Sequence, residues 1–342
     1  MTVHPWNQPV WDYLTATRTR SAHAWLFAGP RGLGKSECAM AFARHLIAAA
    51  GQTRNEQLFD AGTHPDVHVI VREVDTEDSD ALAHRYARRH IDERPKGSKP
   101  KTVITVGQVR SLIQGLSTRP HSAAHKVAIL LDAHNMNVNA ANALLKLLEE
   151  PPEDTVLVCV TDQIHRLPAT VRSRCARVTF VTPAREVARS WLESRIQSDQ
   201  VNAALDLAGG APLEALNLIE GDGVENRKKW LKVLEALYSG RVDAAAAAEI
   251  GKQIGLRDAL ALSQKTLVDL VRCRMNPEAD RLFNADQKQW LQKRAERLQL
   301  HRTFDLIDLI GRLRQDVDGP LDASLLLEDT LIQMRNVVGG NA

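Results

Sequence analysis

The segment GPRGLGKS, Gly29 to Ser36, constrains this chain more than any other stretch. It has the form G-x-x-x-x-G-K-[ST] and lies between an apolar run and a helical pattern, which is the context the motif requires. Glycines let such a loop curl with its backbone N–H groups pointing inward, and the helix that follows adds the positive end of its dipole. The loop is therefore a phosphate cradle. The expected nucleotide contacts are Gly29, Pro30, Arg31, Gly32, Leu33, Gly34, Lys35 and Ser36. Lys35 is expected to reach the β- and γ-phosphates, and the Ser36 hydroxyl to ligate Mg²⁺. ATP and Mg²⁺ are the expected cofactors.

The surrounding pattern places the loop in an α/β domain. AWLFAG (24–29), VHVIV (67–71), KVAILLDA (126–133), TVLVCVTD (155–162) and ARVTFV (176–181) read as buried strands. Helical patterns at 36–50, 107–117 and 137–152 alternate with them, and the last is ended by a double proline. Such alternation implies a parallel sheet with helices on both faces. After Pro183 the strand signals stop. Three short helical units fill about forty residues, and longer helices follow from Val224 onward. The expected organisation is a nucleotide-binding domain over 1–182, a three-helix lid over 183–222 and an all-α domain over 223–342.

One stretch breaks the rhythm. Residues 72–101 hold five acids between Glu73 and Asp80, then seven Lys and Arg between Arg85 and Lys101. This reads as a charged insertion, partly disordered and partly a solvated helix around Ala81–His90. Contact between its basic half and nucleic acid is the minor alternative.

Composition removes several classes. The chain carries 44 Lys and Arg against 42 Asp and Glu, so it does not coat nucleic acid through bulk charge. No apolar run reaches the ~18 residues of a membrane span, and the first residues lack a signal-peptide pattern. Cytoplasmic localisation is expected, without a membrane partner. Cys38, Cys159, Cys175 and Cys273 form no CxxC pair, so reduced, buried thiols and no zinc are expected.

Three further positions point to nucleotide chemistry. Asp132 ends an apolar strand, where a P-loop ATPase holds its Mg²⁺-organising acid; a turn cap is its competing role. The next position, where a hydrolytic ATPase carries its general base, is Ala133, which cannot deprotonate water. His134 is a substitute base of unknown geometry. Thr161 closes the fourth strand, where a polar side chain can read a γ-phosphate or simply end the strand. Arg174, in RSRC (172–175), sits where an exposed arginine can act on the ATP of a neighbouring subunit.

Taken together, HPW near the start, HAWLFAGPRGLGKS, AGTHPD (61–66), NALLKLLEEPPEDT (142–155), TDQIHRLPATVRSRC (161–175) and GGAPLEALNL (209–218) resemble the AAA+ clamp-loader family of bacterial DNA polymerase III. These words come in the family's order and cover about the first 220 residues. AGTHPD points to the stator branch and away from the gamma/tau motor.

The resemblance implies a RecA-like AAA+ P-loop domain, a small helical lid and a helical collar that packs with other collars. It implies a hetero-pentameric ring with gamma/tau and delta subunits that opens the sliding clamp and loads it onto primed DNA. It also implies a rigid, largely non-hydrolysing member of the polymerase holoenzyme, whose Arg174 is a trans arginine finger. The lid arginine of motor subunits falls at Leu213. Many relatives carry a four-cysteine zinc module before HPD, and this chain has no cysteine there. An active gamma/tau-like motor and an unrelated P-loop kinase are the competing readings.

Overall fold

The computed structural model describes residues 3–16, 22–48, 53–77, 79–91, 98–316 and 323–339. It divides into two compact units, 1–182 and 183–342.

In the first unit the described elements are α1 (Gln8–Ala16), β1 (Ala24–Ala28), α2 (Lys35–Ala48), α3 (Thr53–Ala61), β2 (Val67–Ile70), α4 (Leu82–Ala87), α5 (Val106–Leu116), β3 (Lys126–Leu130), α6 (Val138–Glu149), β4 (Thr155–Thr161), α7 (Ala169–Arg172) and β5 (Ala176–Thr179). The five strands form one sheet in the order β2-β3-β4-β1-β5. Every pairing is parallel, and the register sets Ala28 beside both Thr161 and Thr179. This is the parallel P-loop sheet that the strand–helix alternation predicts.

Strands β1 to β4 are buried at every residue, as strands covered on both faces must be. Ala24, Leu26, Ala28, Leu130 and Cys159 face one side, in a core with Leu112, Leu116, Leu144 and Leu147 of α5 and α6. Trp25 and Phe27 face the other side, where Trp25 meets Phe42 of α2 edge-on and Phe27 meets Phe180. The helix ends are set locally. A capping box joins Thr105 and Gln108 at the start of α5, and the Asn137 side chain caps α6.

Two sequence expectations need correction here. The run 126–133 is not strand to its end, because Asp132 takes a left-handed conformation (φ 48°) and turns the chain into a short 3₁₀ segment. Nor is the helix around 81–90 merely solvated. Tyr86, Ala87 and His90 are buried, Tyr86 Oη donates to the Phe59 carbonyl at 3.1 Å, and His90 Nε2 lies 3.2 Å from His68 Nδ1. The basic residues there are partly structural, since Arg89 donates to the backbone carbonyls of His64 and Val67. Charge concealed the apolar and histidine positions that face β2. The part of the expected insertion at 92–97 lies outside the described residues.

The second unit contains α8 (Arg185–Glu193), α9 (Val201–Leu207), α10 (Pro212–Glu220), α11 (Gly223–Tyr238), α12 (Ala244–Ile254), α13 (Leu256–Met275), α14 (Lys288–Ala295), α15 (Leu300–Asp316) and α16 (Ala323–Gly339). Trp230, Leu234, Leu267, Ile310 and Leu331 belong to one core with Leu207 of α9. Lys265 Nζ of α13 also donates to the Leu207 carbonyl at 2.8 Å. Arg227 is buried and pairs with Asp286 and with Asn284 Oδ1. No helix of the described residues is long and apolar enough to cross a membrane.

Candidate nucleotide site

The loop Gly29–Ser36 joins β1 to α2, with Lys35 as the first helical residue. Gly29, Gly32 and Gly34 have φ of 155°, 74° and 81°, backbone that L side chains rarely adopt. A Cβ on Gly29 would also land on the Phe180 carbonyl, and one on Gly34 against the His4 ring. The N-terminal segment braces the loop from outside. Trp6 Nε1 and Asn7 Nδ2 both donate to the Leu33 carbonyl, at 3.0 and 2.7 Å. Leu33 itself is fully buried. HPW thus serves as a support for the cradle.

Lys35 is buried, and its Nζ donates to the Pro30 carbonyl at 2.6 Å. Burial pushes its pKa down, against the attraction of Asp162 and Asp132. The ammonium therefore folds into the loop it would share with phosphate oxygens. Pro30 and Arg31 are exposed at the rim, and Ser36 is half-buried at the mouth of α2.

The other side of the site is built where β3 and β4 end. Leu130 and Cys159 are register partners, so Asp132 and Thr161 emerge from neighbouring strands. Asp132 is half-buried, and burial raises its pKa, opposed by nearby His134. Ala133, the position of a general base, is fully buried and carries no polar group. His134 is buried beside it, with Nδ1 at 3.1 Å from Thr161 Oγ1 and Nε2 at 3.3 Å from Asp162 Oδ1. Burial lowers the His134 pKa against the pull of Asp162 and Asp132.

Thr161 is completely buried, and its hydroxyl also accepts from the Gln163 backbone N–H at 3.0 Å. Asp162 and Gln163 escaped the sequence reading. The signal available was a polar TDQ run directly after an apolar strand.

Arg174 lies apart from these groups. It is exposed after α7, donating from Nη1 to the Thr170 carbonyl at 3.0 Å and from Nη2 to Glu149 Oε1 at 2.6 Å. Glu149 ends α6, so the LLEEPP and SRC words meet in space through this ion pair. All four cysteines are free and buried. Cys175 of SRC is buried in one core with Cys159 of β4, which makes it part of the interior and not of the exposed rim.

The AGTHPD word is also structural. Asp66 is fully buried, and its carboxylate accepts the backbone N–H groups of His121, Ser122 and Ala123 at 2.8, 2.9 and 3.2 Å. Burial alone would raise its pKa, and these three donors bring it below the ordinary value.

The chain matches the family described as DNA polymerase III, delta subunit, over residues 11–184. It is 31% identical to the DNA polymerase III subunit delta' of Pseudomonas aeruginosa, with 98% of each chain covered. It is also 31% identical to the subunit delta' of Escherichia coli strain K12, over 68% of this chain and 65% of that one. Among solved structures, a gamma subunit-related protein from Thermotoga maritima is 19% identical, covers 96% of this chain and 98% of its own, and has a TM-score of 0.43.

Proposed function

The chain belongs to the delta-prime family of DNA polymerase III clamp-loader subunits, and from that premise we propose that it is the stator of the loader ring. On this reading it assembles in the cytoplasm with gamma/tau and delta subunits into a hetero-pentamer. The ring then opens the sliding clamp on primed DNA. The collar would be the ring-forming part, residues 223–342, with 183–222 as the lid.

One observation supports a stator over a motor most directly. The position after Asp132 is a buried alanine, and the neighbouring Thr161 hydroxyl is already engaged by His134 and by the Gln163 N–H. A site so arranged lacks the general-base carboxylate that would follow Asp132, and its γ-phosphate reader is occupied. Hydrolysis by this chain is therefore weak or absent.

Nucleotide binding is a separate matter. The glycine backbone of the cradle and the hard oxygen donors of Ser36 and Asp132 suit ATP with Mg²⁺. When bound, the metal would neutralise phosphate charge. This chain's part is to hold the phosphates with the loop N–H groups and Lys35. Cysteine-held zinc has no place in this reading, because the four thiols are scattered and buried.

Arg174 is the proposed contribution to a neighbour's catalysis. Its guanidinium is exposed, and Glu149 and the Thr170 carbonyl hold its orientation. An arginine finger stabilises charge on the transferring phosphoryl group of the ATP it faces. The test is reconstitution with gamma/tau and delta. Omission of this chain is expected to abolish ring formation and clamp loading. Turnover of ~1 s⁻¹ or faster by the chain alone, within the usual enzyme range, would instead mark it as a motor.

A further inference from the structure

We propose that His134 makes the nucleotide site blind to the γ-phosphate, so that this chain holds a nucleoside diphosphate and the triphosphate about equally well. It acts as a positioning residue, by taking the only proton that the Thr161 hydroxyl can offer. The proposal deepens the reading of Gly29–Ser36 as a nucleotide cradle, and rests on it.

Thr161 stands where a γ-phosphate reader belongs. It ends β4 in register with Ala28, the last residue of β1, and its carbonyl accepts the N–H of Gly29, where the loop begins, at 3.3 Å. Its hydroxyl has one proton to give and lone pairs to receive. The Gln163 backbone N–H donates to that oxygen at 3.0 Å, and His134 Nδ1 lies 3.1 Å from it. What Thr161 has left for a ligand is therefore set by the tautomer of the neutral imidazole. With the proton on Nδ1, the ring donates to Thr161 and the hydroxyl proton is free to turn to a phosphate oxygen. With the proton on Nε2, Nδ1 is an acceptor and takes the hydroxyl proton.

The surroundings select the second form. His134 Nε2 lies 3.3 Å from Asp162 Oδ1, a buried carboxylate oxygen with no hydrogen bond of its own. A proton on Nε2 faces that charge, whereas a lone pair would be set against it. The competing neighbour of Nε2 is the neutral side-chain amide of Gln163, at 3.4 Å. Attraction to a carboxylate outweighs a long contact with a neutral donor. Thr161 is also completely buried, so no water relieves His134 of its hold on the hydroxyl. Bound phosphates then meet the loop N–H groups and Lys35, and the γ-phosphate gains no donor from the end of β4.

The test is Mg²⁺-dependent binding of ADP, and of the non-hydrolysable β,γ-imido analogue of ATP, to the full chain by titration calorimetry. In the parent the two affinities are expected to agree within about threefold. His134→Val releases the hydroxyl proton and should shift the ratio toward the triphosphate by about tenfold or more, the worth of one hydrogen bond to a charged group. The shift should vanish when Thr161→Val is added. His134→Asn, whose amide oxygen can stand in for Nδ1, should keep the parent ratio. Far-UV circular dichroism checks the fold of each variant. In the nucleotide-free chain, the ¹⁵N spectrum of His134 should show Nε2 protonated and Nδ1 bare. A protonated Nδ1, a parent that already favours the triphosphate by about tenfold, or a ratio unmoved in folded His134→Val would each overturn the inference. Failure to bind either nucleotide would instead refute the cradle itself, and the tautomer, read without nucleotide, would still decide whether His134 takes the Thr161 proton.

Discussion

Acid should unfold the first unit through a pair of histidines that the charged segment buries. His68 of β2 and His90 are both almost wholly inaccessible, and their rings are 3.2 Å apart at the nearest nitrogens. Burial, the neighbouring His90 and the cations Arg89 and Lys126 push His68 down to about 3. Burial and Arg89 push His90 down to about 4.

The unfolded chain takes up these protons near the ordinary value of ~6.5, and the folded chain refuses them. Stability from the pair is therefore complete above about pH 6.5 and is lost as the pH falls toward about 4. At pH 5 each histidine costs about 2 kcal/mol relative to pH 7, or about 4 kcal/mol for the pair. The slope in that window approaches ~2.7 kcal/mol per pH unit, the signature of two protons.

Urea unfolding followed by tryptophan fluorescence across this range measures the slope. His68→Leu combined with His90→Leu should remove most of it, whatever the variant's stability at neutral pH. His64, His84 and His134, also lowered by burial, remain in both proteins and cancel from the difference. Equal acid slopes for parent and double variant would refute the reasoning.

Arg174→Ala should change the chain's own stability by no more than ~1 kcal/mol, because its pair with Glu149 is half-exposed, while slowing ATP turnover in the reconstituted ring. Arg174→Lys keeps the charge without the planar fork, so ring ATPase assays should show a defect there too. Asp66→Ala should cost about 3 kcal/mol or more in urea unfolding, since three backbone N–H groups lose their acceptor at once. Asp286→Ala should cost about 3–5 kcal/mol in the second unit by leaving Arg227 buried without its carboxylate; a loss under ~1 kcal/mol would show that Asn284 alone satisfies the guanidinium.

Much of the first unit was legible because its strands are short, apolar and bounded by turns. All five strand positions follow from that pattern, as do α2, α5 and α6. The P-loop was legible because its glycines are demanded by backbone geometry. What the residues concealed was partnership across long sequence distance. Nothing local says that Glu149 holds Arg174, or that Asp66 gathers the N–H groups of 121–123. The charged segment misled for a related reason. Tyr86 and His90 are outnumbered by arginines, so hydropathy reads the surface of α4 and misses the narrow face turned to β2. His134 carried a hint as a polar residue after a strand, but its meeting with Asp162 depends on the strand order, which periodicity alone cannot supply.

The bracing of the phosphate loop bears on how a lineage retains it. Gly29 packs against the Phe180 backbone, Gly34 against His4, and the Leu33 carbonyl anchors Trp6 and Asn7. A substitution at Gly29 or Gly34 would first loosen the joint between the N-terminal segment, β1 and the segment after β5, before any nucleotide is considered. Selection for a folded subunit is thus enough to hold the glycines at 29 and 34 in place, whatever the loop does with nucleotide. The two glycines of the P-loop therefore record architecture and carry little information about turnover.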